Sequence, residues 1–81
     1  MPRRSTSRQH YKVLRFFGDK VRTLRENAGM SQRDLADLAG IAQPDIPKIE
    51  RGDRDLRLTS AERIACAFNR TLRDLLPPRK R

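Results

Sequence analysis

The chain lacks most of what an enzyme, a disulfide scaffold or a membrane protein would need. It holds one cysteine and one histidine, Cys66 and His10, far apart in sequence. A lone thiol closes no internal disulfide, and one Cys with one His cannot assemble a Cys/His zinc set. No glycine-rich phosphate loop and no HExxH pattern occurs. His10 reads as a solvated residue near a helix start, and Cys66 as a small core residue on an apolar face. No apolar run approaches the roughly 20 residues of a membrane span. The N-terminus is basic but has no apolar stretch of the signal-peptide kind. The expectation is a cytoplasmic, non-enzymatic chain with no metal and no cofactor.

Acidic residues are missing from both ends. Residues 1–15 carry Arg3, Arg4, Arg8, Lys12 and Arg15 with no acid, and residues 77–81 carry Arg79, Lys80 and Arg81. The whole chain has 19 basic and 10 acidic residues, a net charge of +9, so residues 16–76 keep 11 basic against 10 acidic, a net of +1. The excess charge therefore sits on the ends and points to a polyanionic partner. The nearly neutral middle can still bind DNA if its basic residues share one face. Three segments follow: residues 1–15 as a basic arm, disordered over 1–8, with a short upstream helical turn; 16–76 as one small folded domain; 77–81 as a basic tail.

Periodicity predicts helices throughout, with no sustained strand alternation. Phe17, Val21 and Leu24 fall on one face of a first helix that ends before Gly29. Gly18 weakens it by about 1 kcal/mol relative to alanine and would separate the upstream turn from the helix proper. Ser31 offers an N-cap with Asp34 three residues on, and Gly40 suits a left-handed stop. A second short helix runs to Arg51 and stops at Gly52. Thr59 or Ser60 is expected to cap a fourth helix bearing Ile64, Ala65 and Phe68. Thr71 opens a fifth with Leu72, Leu75 and Leu76, ended by Pro77-Pro78. The fold class is all-α.

With Gln32 as position 1 of a bihelical unit, Leu35 and Ala36 take positions 4 and 5, Gly40 position 9, Ile41 position 10, and Ile46 and Ile49 positions 15 and 18. This spacing resembles the helix-turn-helix of the lambda-repressor/Cro-like, or Xre, family. Ala36 must be small where the second helix crosses, Gly40 makes the turn, and the four apolar residues bury the inner faces. "GDKVRTLRENAGMSQ" before the unit and "KIERG" ending it are also similar, so the resemblance covers residues 17–76. It implies a five-helix, lambda-repressor-like DNA-binding domain with helices 2 and 3 as the helix-turn-helix.

The same resemblance implies a set of site residues. Arg25 and Glu50 match a family pair that ties helix 1 to the recognition helix. Gln43 matches the first base-reading position, where glutamine can pair with adenine. Pro44, Asp45, Pro47 and Lys48 share that reading segment. Lys48 reaches a guanine or a phosphate, and Asp45 either accepts from cytosine or caps. Ser31 and Gln32 match phosphate-holding positions, and Arg51, Arg54 and Arg57 flank the backbone. The basic arm, residues 3–12, follows phosphates or enters the minor groove.

The two prolines depart from the family pattern. With the recognition helix starting at Gln43, Pro44 falls harmlessly in the first turn. Pro47 would then break a helical hydrogen bond to Gln43. Either the helix persists with a distorted first turn or it starts near Pro47; the intact Ile46/Ile49 spacing favours the first. On that reading Pro47→Ser stabilises the fold and alters sequence preference. A dimer is implied, with Phe68, Leu72, Leu75 and Leu76 as candidates for its interface, some of which must fill the core instead, and an inverted repeat in double-stranded DNA as its target. The function implied is a dimeric repressor or autoregulator. "ERGDR" is similar to controller proteins of restriction–modification systems. The alternatives are an antitoxin that silences a toxin partner, and non-specific binding through the tails.

Overall fold

The computed structural model describes residues 3–78, with side chains from Lys12 onward. Four α-helices and one 3-10 turn follow in order: α1 Arg3–Asn27, α2 Gln32–Ala39, α3 Asp45–Arg51, α4 Leu58–Ala67, and the 3-10 turn Leu72–Leu75. Among the described residues there is no strand.

Helix α1 is continuous from Arg3, so the disordered stretch expected over 1–8 and the separate upstream turn are not present as distinct elements. Gly18 does not divide it. Its missing side chain serves packing instead. A Cβ there would lie 2.6 Å from the Glu50 carbonyl oxygen and nearer still to that of Ile49, so only glycine lets α1 approach the end of α3 this closely. The basic tail at 79–81 lies outside the described residues.

The expected fifth helix is a single 3-10 turn, which corrects the five-helix frame to four. The reason is local. Thr71 and Asp74 form a capping box, but Pro77 holds Leu76 extended (φ −100°, ψ 157°), so only four residues remain between cap and stop. Helix α4 also differs at its start. It begins at Leu58 behind an extended Arg57, two to three residues earlier than a Thr59 or Ser60 cap would place it, and no side chain caps it. Its end is closed by Asn69 at φ 60°, with Arg70 N–H donating to the Ala65 carbonyl at 2.9 Å.

Phe17 and Val21 of α1, Leu35, Ala36 and Ala39 of α2, Ile46 and Ile49 of α3, Ala61, Ile64 and Ala65 of α4, and Leu75 form the buried core. Leu35, Ile46, Ile64, Leu75 and Val21 are wholly enclosed, and each contributes about 1.5–3 kcal/mol. Helix α1 packs on both α3 and the 3-10 turn, while α4 covers α2. Cys66, expected in this core, faces solvent; the neighbouring Ile64 and Ala65 point inward in its place.

Candidate nucleic-acid interface

Helix α2 is fixed at both ends by its sequence. Ser31 Oγ accepts from the Asp34 N–H at 3.0 Å, and the Asp34 carboxylate accepts from the Ser31 N–H at 3.0 Å. Those two groups, the backbone N–H first and the hydroxyl second, hold the Asp34 carboxyl below its ordinary range. Gly40 then turns the chain at φ 69°, and the Ile41 N–H returns to the Ala36 carbonyl at 3.0 Å. Ile41 is half-buried against the core and sets the direction of the next helix.

Helix α3 starts at Asp45, two residues later than Gln43. Two tight turns lead into it: the Asp45 N–H donates to Ala42 at 3.0 Å and the Ile46 N–H to Gln43 at 3.1 Å. Pro44 is the N-cap, in helical geometry (φ −63°, ψ −17°), and Pro47 is the third helical residue. This comes closer to a start near Pro47 than to a distorted helix from Gln43, since α3 begins two residues before Pro47 and tight turns occupy 42–46. The first helical N–H groups have no intrahelical acceptor in any α-helix, so both prolines occupy positions where a missing donor breaks nothing. The expected gain from Pro47→Ser therefore reverses in sign. The substitution should leave stability unchanged or lower it by up to about 1 kcal/mol, because serine restores freedom to the unfolded chain. Urea unfolding of the variant measures this, and a clear stabilisation would contradict the start at Asp45.

The far end of α3 is anchored. Arg25 Nε donates to Glu50 Oε2 at 2.7 Å, Arg25 Nη2 to Glu50 Oε1 at 3.3 Å, and Arg25 Nη1 to the Met30 carbonyl at 2.9 Å. Gln32 Nε2 adds a fourth contact, to Glu50 Oε1 at 3.2 Å. Glu50 is 6% exposed, so this carboxylate is buried but fully partnered. The hydrogen bond to Glu50, opposed by desolvation, holds the Arg25 guanidinium above its ordinary pKa. One arginine thus joins the end of α1, the entry to α2 and the end of α3.

The remaining site residues fall into separate groups. Gln43, Pro44 and Lys48 are exposed at the start and outer side of α3, while Pro47 is half-buried. Gln43 and Lys48 stand clear for contact. Asp45 does not: its carboxylate forms an ion pair with Arg54 Nη1 at 3.1 Å. Arg51 pairs with Asp53 at 2.8 Å on the open surface, a contact worth at most about 1 kcal/mol. Arg57 is exposed at the N-cap of α4. Arg63 Nη1, not anticipated from the sequence, reaches the Gly40 carbonyl at 3.2 Å and braces the inter-helix turn from α4.

Of the four residues expected at a subunit interface, Leu75 is wholly buried, and Phe68 and Leu72 pack against the core. Only Leu76 remains exposed, accompanied by Val13, Phe16 and Leu58. These three come from α1 and the start of α4.

Two short helices about a glycine turn, the second with its entry and outer edge open to solvent and its last turn tied down, define the helix-turn-helix regulators that bind DNA. The helix-turn-helix family HTH_3 matches residues 21–75, and the chain belongs to that family. The restriction-modification controller protein C.AhdI from Aeromonas hydrophila is 35% identical with a TM-score of 0.74, over 78% of this chain and 96% of that one. A hypothetical transcription factor, NHTF from Neisseria, is 29% identical with a TM-score of 0.75, over 84% of this chain and 79% of that one. Hydroxypropylphosphonic acid epoxidase from S. wedmorenis is 28% identical with a TM-score of 0.73, over 82% of this chain but only 35% of its own length. No curated protein matches the chain. No helix among the described residues is long and apolar enough to cross a membrane.

Proposed function

We propose that this protein is a sequence-specific transcriptional regulator of the controller type, which binds an inverted repeat in double-stranded DNA as a dimer. The observation that carries the reading is the arrangement of α3: Gln43, Pro44 and Lys48 open to solvent at the reading edge, on a helix anchored by the Arg25–Glu50 pair. Recognition helices present their N-terminal side chains to the major groove while flanking loops and helix starts hold phosphates. In that geometry Gln43 pairs with adenine and Lys48 with guanine or a phosphate. The Pro44 ring supplies apolar surface for a thymine methyl, and Pro47 shapes the turn of backbone behind it. Ser31, Gln32, Arg51 and Arg57 flank the phosphates.

One α3 reads too few base pairs for useful specificity, which is the physical reason for a dimer. Its surface is best supplied by Leu76 with Val13, Phe16 and Leu58, the large apolar side chains left exposed between α1, α4 and the 3-10 turn. Likeness to a restriction-modification controller over nearly all of that protein's length favours the controller type over a phage repressor or an antitoxin. The epoxidase shares only a part of its chain with this fold, and its activity is not carried over.

Selection of bound sequences from a random duplex pool at near-physiological salt tests the proposal. Enrichment of a spaced inverted repeat is the expected result. Retained DNA with no enriched motif would refute it and place the affinity in the basic ends.

A further inference from the structure

The ion pair between Asp45 and Arg54 is unexplained by the fold. Its side chains are 26% and 47% exposed, and exposed pairs of this kind contribute little to stability. Its position is the notable feature. Asp45 is the first residue of α3, directly after Gln43 and Pro44, and Arg54 arrives from the loop beyond Gly52. The contact therefore brings a loop arginine alongside the first turn of the recognition helix.

Charge makes this arrangement informative. A carboxylate alone at the start of α3 would repel the DNA backbone, although it suits the helix dipole. Paired with Arg54 it is neutralised. The pairing engages the Nη1 side of the guanidinium, and the rest of the planar fork meets no partner among the described residues. A guanidinium fixed on one side by a carboxylate loses little further freedom on binding, and its remaining donors match the O6 and N7 acceptors of guanine. Asp45 and Arg54 line a surface groove together with Arg57 and Arg63, and of these arginines Arg54 is the one paired with Asp45.

Resting on the DNA-binding reading above, we propose that Arg54 is a base-reading residue specific for guanine, and that Asp45 is its positioning residue. Arg54 thereby leaves the set of phosphate contacts to which the resemblance assigned it. Asp45 contributes to specificity without touching a base.

The test compares the wild-type chain with Arg54→Ala and Asp45→Asn, first by selection from the random duplex pool and then by binding to the selected operator with each base pair changed in turn, at two salt concentrations. Far-ultraviolet circular dichroism checks that the variants remain helical. Arg54→Ala should lose preference for a guanine at one position of each half-site, with discrimination there falling roughly ten-fold or more. Asp45→Asn should weaken discrimination severalfold at that same position and leave the others unchanged. If Arg54→Ala instead weakens all sequences alike and lowers the salt slope by about one per half-site, Arg54 is a phosphate contact and the proposal falls. An operator that both variants read as the wild type does also overturns it, while the regulator reading stands. A wild-type chain that selects no motif overturns both.

Discussion

Glu50→Ala is expected to destabilise the protein by about 3–5 kcal/mol, because it strands a half-buried arginine without its carboxylate. A chain of this length has about 4–12 kcal/mol of stability in total, so the variant loses a large share of it. The expectation follows from the convergence of four contacts on the buried Glu50 and the half-buried Arg25. Removing Glu50 leaves Arg25 with the Met30 carbonyl and a 4.0 Å contact to the exposed Glu26, and frees Gln32 at the start of α2. Urea unfolding followed by circular dichroism measures the loss. A change within about 0.5 kcal/mol, the range of an ordinary surface substitution, would show that the pair is not buried in solution. Replacing both partners with apolar residues, Arg25→Met with Glu50→Leu, should recover much of the deficit, since the cost lies in an orphaned charge more than in a lost attraction.

Gly18→Ala should destabilise by about 2 kcal/mol, against the trend of helix propensity. Alanine favours a helix over glycine by about 1 kcal/mol, so in an isolated α1 the substitution would be stabilising. In the folded protein the new Cβ meets two carbonyl oxygens of α3, at Ile49 and Glu50. Those are backbone atoms and cannot rotate aside, so α1 must move outward, a kind of overpacking that costs about 1–3 kcal/mol. The movement would also stretch the Arg25–Glu50 contact seven residues along the same helix. Thermal melts of the variant settle the sign, and a raised melting temperature would contradict the close packing of α1 on α3.

Much of the fold is written in local chemistry. Ser31 and Asp34 announce the start of α2, Gly40 its end and Gly52 the end of α3, because capping depends on a few adjacent residues. The spacing of Leu35, Ala36, Ile46 and Ile49 likewise marks the inner faces. What the sequence did not disclose depended on partners distant in the chain. Gly18 reads locally as a weak point in a helix, whereas its role is set by carbonyls more than thirty residues later. Pro47 reads as a helix breaker when the helix is counted from Gln43. Its actual position depends on where the tight turns at Ala42 and Gln43 deliver the chain. Leu75 is core and Leu76 exposed, a division among the four candidate residues that apolar character alone does not make. At the site, Gln43 and Lys48 follow from the resemblance and stand exposed, but the Asp45–Arg54 contact joins a helix start to a loop and has no sequence pattern of its own.

The packing of α1 against the 3-10 turn has a consequence for the order in which a ribosome delivers the chain. Val21 emerges early, while Leu75, which helps to close the same core, comes fifty-four positions later. At bacterial and eukaryotic synthesis rates that interval lasts roughly three to ten seconds. Throughout it the apolar stripe of α1 has none of its late neighbours, so the nascent polypeptide passes through a sticky, incompletely collapsed stage before it can recognise anything. Closure of this core therefore waits for the 3-10 turn, and until that turn arrives α1 keeps part of its apolar stripe uncovered.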